Sequence, residues 1–204
     1  MAFYVNPTAY ADIRRRLQDL SDESYSDAEL LQYINDAQKD FSIVGCYQGK
    51  DTTSSLTAES SITHADIVAG FGQDIIEIKR VDIGGKPLAI APVYEEVSWP
   101  ASGQTTATGW MDWGETVYLD AAMTGTATIW FTYTPLELGD TESDDVISVP
   151  ARWYPAIVAF ACYRCLDSSQ DPQAAALLAE YNTMKLQAAY VYGNREDQPK
   201  PAQD

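Results

Sequence analysis

The sequence predicts an α+β fold, in which helices from both ends of the chain form one bundle and a mostly antiparallel β domain is inserted between them. Helical periodicity marks residues 1–48 and 151–192, whereas residues 49–150 are rich in Thr, Ser, Gly and β-branched side chains and lack that period. Each helical segment carries an apolar stripe that needs a partner, so we expect the two ends to pack together. Residues 193–204 are polar and contain proline, which predicts a flexible tail.

The N-terminal segment predicts two helices. The first spans about 7–20, with Pro7 in its first turn and one apolar stripe of Tyr10, Ile13, Leu17 and Leu20. The stretch "SYSDAELLQYINDAQKDF" contains Ser26 followed by Glu29, a capping box that starts the second helix near Asp27. This helix is expected to end near Val44, before Gly45. Its polar outer face consists of Asp27, Gln32, Asn35, Asp36 and Lys39.

The middle of the chain predicts four to six strands. "DIIEIKRVDIGGKPLAIAPV" indicates two strands around a Gly84–Gly85 turn. "ETVYLD" and "TATIWFTYTP" are predicted as two further strands, and the second places Ala127, Ile129, Phe131 and Tyr133 on one face. Weaker strands are expected at 52–57 and 60–64, and "YEEVSWP" is expected to form a short helical turn or loop.

The C-terminal segment predicts two more helices. The first spans about 151–167, has Pro155 in its first turn or at a bend, and is apolar nearly all round from Ala156 to Tyr163, which indicates a buried central helix. The second spans about 172–192, with Asp171 as its N-cap. Its seam for packing on another helix consists of Leu177, Tyr181, Met184, Ala188 and Val191.

The charge balance restricts the function. The formal net charge is −17, and the run Arg14–Arg15–Arg16 is the one basic cluster in the sequence, so a grip on duplex DNA is not expected. An acidic surface facing DNA across a channel would instead let it slide. Three cysteines suggest a reducing compartment. The sequence has neither a signal-peptide pattern nor an apolar run of membrane-spanning length, so we expect a chain that is soluble in the cytosol when made.

The sequence predicts no catalytic, metal-binding or cofactor-binding residue. Cys162 and Cys165 form one C-x-x-C pair inside an apolar helix, which favours small core residues over a zinc or redox site. His64 is the sole histidine and has no nucleophile pattern around it. A rival interpretation is a carbohydrate-binding module or small glycosidase that uses Trp110 and Trp113. The carboxylates near these tryptophans are Asp112, Glu115 and Asp120.

An ordered series of weak motifs resembles one family. "IRRRLQD" and "YSDAELLQYINDAQKDF" are followed by "IIEIKRVDIGGKPLAIAPVYEEV", "GWMDWGETVYLD", "IWFTYTP" and "ISVPARWYPAIVAFACYRCLDSSQDPQAAALLAEYNTMKLQA". In this order the stretches are similar to the head–tail adaptor (connector) proteins of tailed bacteriophages, over about residues 10–190. The segment "TAESSITHADIVAGFGQD" is an addition to the family pattern.

The resemblance implies a structural virion protein of the neck, not an enzyme. It implies a homo-oligomeric ring, usually of twelve copies, that docks on the portal protein, receives a tail or nozzle protein, and surrounds DNA without binding it specifically. A head-completion or tail-terminator protein of the same particle is the alternative. Exposed aromatic residues, Tyr4, Tyr10, Tyr190 and Tyr192, are candidate anchors between subunits. The candidate subunit, portal or tail contacts are Asp27, Gln32, Asn35, Asp36, Lys39, Tyr190, Tyr192, Asn194 and Arg195.

Overall fold

The protein has the mixed α+β fold that the sequence predicts. The computed structural model describes residues 8–18, 24–45, 47–52, 55–68, 74–90, 106–139, 147 and 149–193. The chain divides into two compact units: the helical unit comprises the chain up to Tyr47 and from Pro135 onward, and the β unit comprises Gln48–Thr134. The β unit therefore ends before residue 150, where the sequence analysis placed the boundary.

Five α-helices lie in the described part of the chain, in addition to a short 3₁₀ helix at Ala151–Trp153. They are α1 (Tyr10–Leu17), α2 (Asp27–Ser42), α3 (His64–Val68), α4 (Tyr154–Ser168) and α5 (Ala174–Gly193). α3 belongs to the β unit and the other four belong to the helical unit. Within the helical unit, α1, α2 and α5 each pack against α4.

The N-terminal helices follow local signals. The capping box that starts α2 is confirmed, because the Ser26 amide donates to Glu29 Oε2 at 2.9 Å and the Glu29 amide donates to Ser26 Oγ at 3.3 Å. α1 is shorter than the predicted 7–20 and ends at Gln18, which has a left-handed conformation (φ 60°). Its Tyr10 and Ile13 are buried, so the stripe lies against the core.

α4 forms the centre of the helical unit, as its all-round apolar sequence predicts. Ala156, Ala159 and Ala161 are fully buried, and Pro155 lies in the first turn. Phe41 of α2 is fully buried, and its ring lies 6.2 Å from both the Trp153 and the Tyr181 ring centroids. Elements far apart in sequence therefore share one aromatic core.

α5 begins at Ala174, two residues later than the predicted start at Pro172. The predicted cap residue Asp171 still takes part, because its Oδ1 accepts from the Gln173 amide at 2.7 Å in the turn that leads into the helix. The predicted seam is confirmed in part: Tyr181 and Ala188 are buried, whereas Leu177, Met184 and Val191 are half-buried.

Seven strands form the sheet of the β unit among the described residues. They are β1 (Gln48–Asp51), β2 (Ser55–Thr63), β3 (Ile75–Ile83), β4 (Lys86–Pro87), β5 (Ala89–Ile90), β6 (Gly109–Trp113) and β7 (Thr116–Tyr133). Two predicted pairs of strands are each one continuous strand instead. β7 is one strand of 18 residues that includes Gly125, instead of two strands. β2 is continuous across the stretch between the predicted 52–57 and 60–64.

β7 organises the sheet, because it pairs antiparallel with four other strands. Its second half lies between β1 and β3, and its first half pairs with β2 and β6. The predicted turn is confirmed, since Gly84 and Gly85 join β3 to β4 with φ values of 58° and 80°. Ala89 and Ile90 were predicted to continue the strand that starts at Lys86, but they form the separate strand β5, which pairs parallel with β6.

The core of the β unit follows the predicted alternation along β7. Ala127, Ile129 and Phe131 are buried, as expected, and Tyr133 is half-buried. The predicted turn "YEEVSWP" at 94–100 lies outside the described residues.

Candidate functional site

The outer face of α2 is exposed at some of the predicted contact positions and engaged at others. Gln32 and Lys39 are exposed. Asp27 is also exposed and accepts from Arg14 Nη2 at 2.8 Å, which joins α2 to the end of α1. These three side chains are accessible to a partner without any rearrangement of the helix.

Asn35 has a role inside the subunit. Its Nδ2 donates to the Leu138 carbonyl at 3.1 Å, and its Oδ1 accepts from the Leu138 amide at 2.9 Å. The Asn35 side chain therefore satisfies both the backbone amide and the backbone carbonyl of Leu138. Helical periodicity places Asn35 on an outward face. It does not reveal the partner of Asn35, because Leu138 lies 103 residues further along the chain.

A groove of about 620 Å³ runs between α2, α4 and α5. Asp36 lies on its wall, 3.8 Å from Arg164, and Asp40 accepts from Lys185 Nζ at 2.7 Å and from the Tyr181 hydroxyl. Apolar side chains between these charges include Ile43, Phe160 and Leu178. The groove therefore has an amphipathic character and includes the predicted contact residues Asp36 and Lys39.

The far end of α5 carries two large exposed apolar side chains. Leu186 is 73% exposed and Tyr190 is 74% exposed, and a spacing of four residues places them on the same side of the helix. Tyr190 is among the contact residues that the sequence predicts, whereas Leu186 is not. The sequence contains a signal for an exposed apolar residue here. Glu180 and Lys185 are the only charged residues between Ala174 and Gly193. Because α4 can cover only one face of such a helix, apolar side chains remain exposed on the other.

The other predicted aromatic anchors differ from Tyr190. Tyr10 is 5% exposed, so its prediction as an exposed anchor was wrong; α1 turns that side chain into the core. Tyr192 is half-buried, and its hydroxyl accepts from Arg152 Nη2 at 2.9 Å and from Trp153 Nε1 at 3.3 Å. Tyr4, Asn194 and Arg195 lie outside the described residues.

One outer row of the β unit combines cations with an aromatic ring. Lys50 of β1 and Arg80 of β3 both stand opposite Trp130 of β7. Lys50 Nζ lies 5.3 Å and Arg80 Cζ 4.8 Å from the centroid of the Trp130 ring. Arg80 Nε and Nη2 also donate to the two carboxylate oxygens of Asp82, at 2.6 and 2.7 Å. These hydrogen bonds raise the pKa of the Arg80 guanidinium above its usual value.

The tryptophan–carboxylate region has only one of its two tryptophans at the surface. Trp110 is 2% exposed and lies in the core of the β unit, so a sugar ring cannot stack on it. Asp120 accepts from the Thr108 amide and hydroxyl at 2.8 and 2.6 Å, and Asp112 Oδ1 lies 2.8 Å from His64 Nε2. Those two carboxylates therefore have structural partners, and of the residues on which the carbohydrate-binding interpretation depends only Trp113, 49% exposed, and Glu115 remain accessible.

The cysteine pair is structural. Cys162 and Cys165 are both fully buried, and burial raises the pKa of the Cys162 thiol to about 12. Within the described residues, no group of three or more His, Cys, Asp and Glu side chains is arranged to hold a metal ion. Nor does any described helix combine the length and apolar character that crossing a membrane requires.

Comparison with known families agrees with the order of motifs along the chain. Residues 8–200 match the family described as SU10 adaptor protein. A search of curated proteins finds no match to this chain. The matched residues include both the helical unit and the β unit, so the similarity is to the whole architecture and not to one motif. The chain therefore belongs to the SU10 adaptor protein family, the head–tail adaptors of phage virions.

Proposed function

We propose that this chain assembles into a homo-oligomeric ring that docks on the portal protein, provides the attachment site for the tail, and surrounds the channel through which the genome passes. The observation that carries this proposal is the match of residues 8–200 to the adaptor family. Its role is assembly, and it does not need chemistry of its own.

Contacts between neighbouring copies are assigned to the helical unit, in which α1, α2 and α5 form a bundle around α4. Leu186 and Tyr190 together expose an apolar surface on a helix that is otherwise almost uncharged. Large exposed apolar residues of this kind are typical of binding surfaces. A ring needs two different surfaces on each copy, and the outer face of α2 with Asp27, Gln32 and Lys39 supplies the second.

The portal and tail contacts are assigned to opposite parts of the chain. The segment that follows Gly193, including Asn194 and Arg195, contacts the portal, with Tyr190 and Tyr192 close to it in sequence. The β unit contacts the tail or nozzle protein. Twelve copies per ring is the number that the family resemblance implies.

The charge of the chain supports a passive channel. With 30 acidic and 13 basic residues, a ring of copies presents an excess of negative charge. Proteins that grip duplex DNA neutralise its phosphates with Lys and Arg side chains. An acidic surface repels the DNA instead. DNA would thus cross the channel without adhering to its wall.

Reconstitution with the portal tests this function. Purified chain is mixed with purified portal protein and the particles are imaged by negative-stain electron microscopy. We expect an additional ring at one end of the portal. Portals that stay bare even at high concentrations of chain would contradict the proposal.

A matched pair of variants tests the assigned subunit contact. Replacing Leu186 and Tyr190 by serine removes apolar area without adding charge, and ring formation should drop severalfold or more. Gln187→Ser changes an exposed side chain on the same helix and should assemble like the wild type. Equal assembly of all three proteins would remove α5 from the interface.

A further inference from the structure

The β6–β7 hairpin ends in a tight turn that is tied to α3. Trp113 and Thr116 lie opposite each other at the end of the hairpin. Gly114 and Glu115 join them, with φ values of 57° and 64°. Two consecutive positive φ values are typical of a type I′ turn. The His64 amide donates to the Glu115 carbonyl at 2.9 Å, so the turn is held in place by the start of the helix.

Two exposed aromatic side chains lie on one face of the sheet beside this turn. Tyr118 is two residues further along β7 than Thr116, the partner of Trp113, so the side chains of Trp113 and Tyr118 point to the same face. They are diagonal neighbours across two paired strands, within reach of each other. Trp113 is 49% exposed and Tyr118 is 36% exposed. Met111 pairs with Tyr118 on this face and is buried, so the exposed apolar area comes from the two rings.

Carboxylates, and no Lys or Arg, accompany the two rings. Glu115 is exposed in the turn, and its carboxylate forms no hydrogen bond or ion pair with a described residue. Asp120 lies two residues beyond Tyr118 on the same face and is half-buried. The strands and the helix that build this part of the sheet, β2, α3, β6 and β7, contain no Lys or Arg. We call Trp113, Glu115, Tyr118 and Asp120 the aromatic tip, a surface with an apolar centre and a negative border.

This composition is that of a protein-binding surface. Trp and Tyr dominate the binding energy of many interfaces when they enter a pocket that excludes water, and charged side chains are kept at the rim. The tight turn adds to this, because a surface already held in shape loses little conformational freedom on binding. The negative border also selects the partner, since it attracts basic side chains and repels acidic ones.

We propose that the aromatic tip binds the tail or nozzle protein, at an apolar pocket bordered by Lys and Arg side chains of that protein. This inference rests on the proposed function, in which the β unit contacts the tail, and it identifies the residues that make the contact. Trp113 and Tyr118 enter the pocket, and the Glu115 carboxylate pairs with a Lys on its border. In a ring of copies the tip is repeated, so equivalent sites hold the tail together.

A second copy and nucleic acid both fit the aromatic tip less well. Each copy has a net charge of −17. Cations of its helices such as Arg16 and Lys185 are already paired, with Glu180 and Asp40. Duplex DNA carries a negative charge on every phosphate, which the border of the tip repels. A different protein with a basic surface meets neither obstacle.

Cross-linking with a carbodiimide identifies the partner of the aromatic tip. This reagent joins a carboxylate to a Lys amine only when the two groups are in contact. Rings of full-length chain are assembled on the portal, mixed with purified tails of the same virion, cross-linked and digested. We expect peptides that join Glu115 to a Lys of the tail or nozzle protein. A link from Glu115 to a second copy of the chain, or tailed particles without any Glu115 link, would overturn the proposal.

Substitutions at the tip test its contribution to tail attachment. Replacing Trp113 and Tyr118 together by serine should lower the fraction of portal rings that carry a tail about tenfold or more, and the rings themselves should form normally. Ile76→Ser removes another exposed apolar side chain of the β unit and should attach tails like the wild type. Melting temperatures show whether each variant is folded. Unchanged tail attachment by the double variant would contradict the role of the two rings.

Charge reversal provides a second test that leaves both rings in place. Glu115→Lys should lower tail attachment about three- to tenfold, because the added cation faces the basic border of the pocket. Asp74→Lys changes the net charge equally at another exposed position of the β unit and should have no effect. Equal attachment by both variants would refute the charge complementarity.

These outcomes are distinct from those that test the proposed function. Portals that stay bare with wild-type chain refute the ring, and the binding of purified tail or nozzle protein to free chain then decides the contact at the tip. Binding that is lost when Trp113 and Tyr118 are replaced supports the contact, whereas no binding, or binding that the replacement leaves unchanged, overturns it. Binding to a glycan array that depends on Trp113, with tail attachment unchanged, would also overturn it.

Discussion

Removal of the Asn35 side chain should release the segment that follows the β unit. Asn35 satisfies both the amide and the carbonyl of Leu138, at 2.9 and 3.1 Å, and alanine can replace neither bond. The perturbation is Asn35→Ala, in the middle of α2. The affected segment, residues 135–139, belongs to the helical unit and leads out of β7.

The expected magnitude follows from these two bonds. Each contributes about 0.5–1.5 kcal/mol, and their loss costs about 1–3 kcal/mol. Alanine is the better helix former by about 0.5 kcal/mol, which offsets part of the loss. The net local destabilisation is then about 0.5–2.5 kcal/mol, which at about 1.4 kcal/mol per factor of ten makes the Leu138 amide exchange about 2- to 70-fold faster, with tenfold near the middle of the range.

Amide hydrogen exchange measures this directly. The Leu138 amide should exchange about tenfold faster in Asn35→Ala, whereas the Gln173 amide, bonded to Asp171, should be unchanged. Gln32→Ala on the same helix is the matched control and should leave Leu138 protected. Unchanged protection of Leu138 in the Asn35 variant would refute the internal role of Asn35.

Three further predictions concern the cores and the cysteines. Phe41→Ala should lower the free energy of unfolding by about 3–5 kcal/mol, measured by urea denaturation of the helical unit, because it empties a fully buried aromatic site. Gly49→Ala should destabilise the β unit by about 1–3 kcal/mol in the same assay, since a Cβ there would lie 2.6 Å from the Phe131 ring. Cys162, with its pKa raised from 9.0 to about 12, should have about a thousandfold less thiolate at pH 8 than an ordinary thiol. Its alkylation should be negligible in the folded chain and rapid in urea, and fast labelling without denaturant would contradict its burial.

The features that sequence analysis predicted well are those with local causes. The α2 capping box needs only Ser26 and Glu29, three residues apart, and the turn at Gly84–Gly85 needs only its own two residues. The apolar character of α4 and the alternation along the second half of β7 also depend on neighbouring residues.

The features that sequence analysis missed depend on partners distant in the chain. β7 continues through Gly125 because β2 pairs with it there, with Leu56 opposite Gly125. The parallel pairing of β5 with β6 joins Ala89 to Gly109, and no local pattern predicts it. A residue such as Gly125 indicates a break when only the local sequence is considered, and long-range pairing overrides that preference.

The predicted contact residues show the same division. Exposure of Gln32, Lys39 and Tyr190 follows from helical periodicity, which sequence alone supplies. Asn35 and Tyr192 look equally polar in sequence, but their side chains are bound to Leu138 and Arg152, which lie 103 and 40 residues away. A contact surface therefore cannot be assigned from periodicity until the long-range partners of each side chain are known.

A cryo-electron microscopy map of the neck of the virion that contains this chain tests the account most directly. We predict a ring between portal and tail whose repeated density fits the helical unit and the β unit. In each repeat, α5 should face a neighbouring copy. A neck without this chain, or a chain found elsewhere in the particle, would contradict its function as an adaptor.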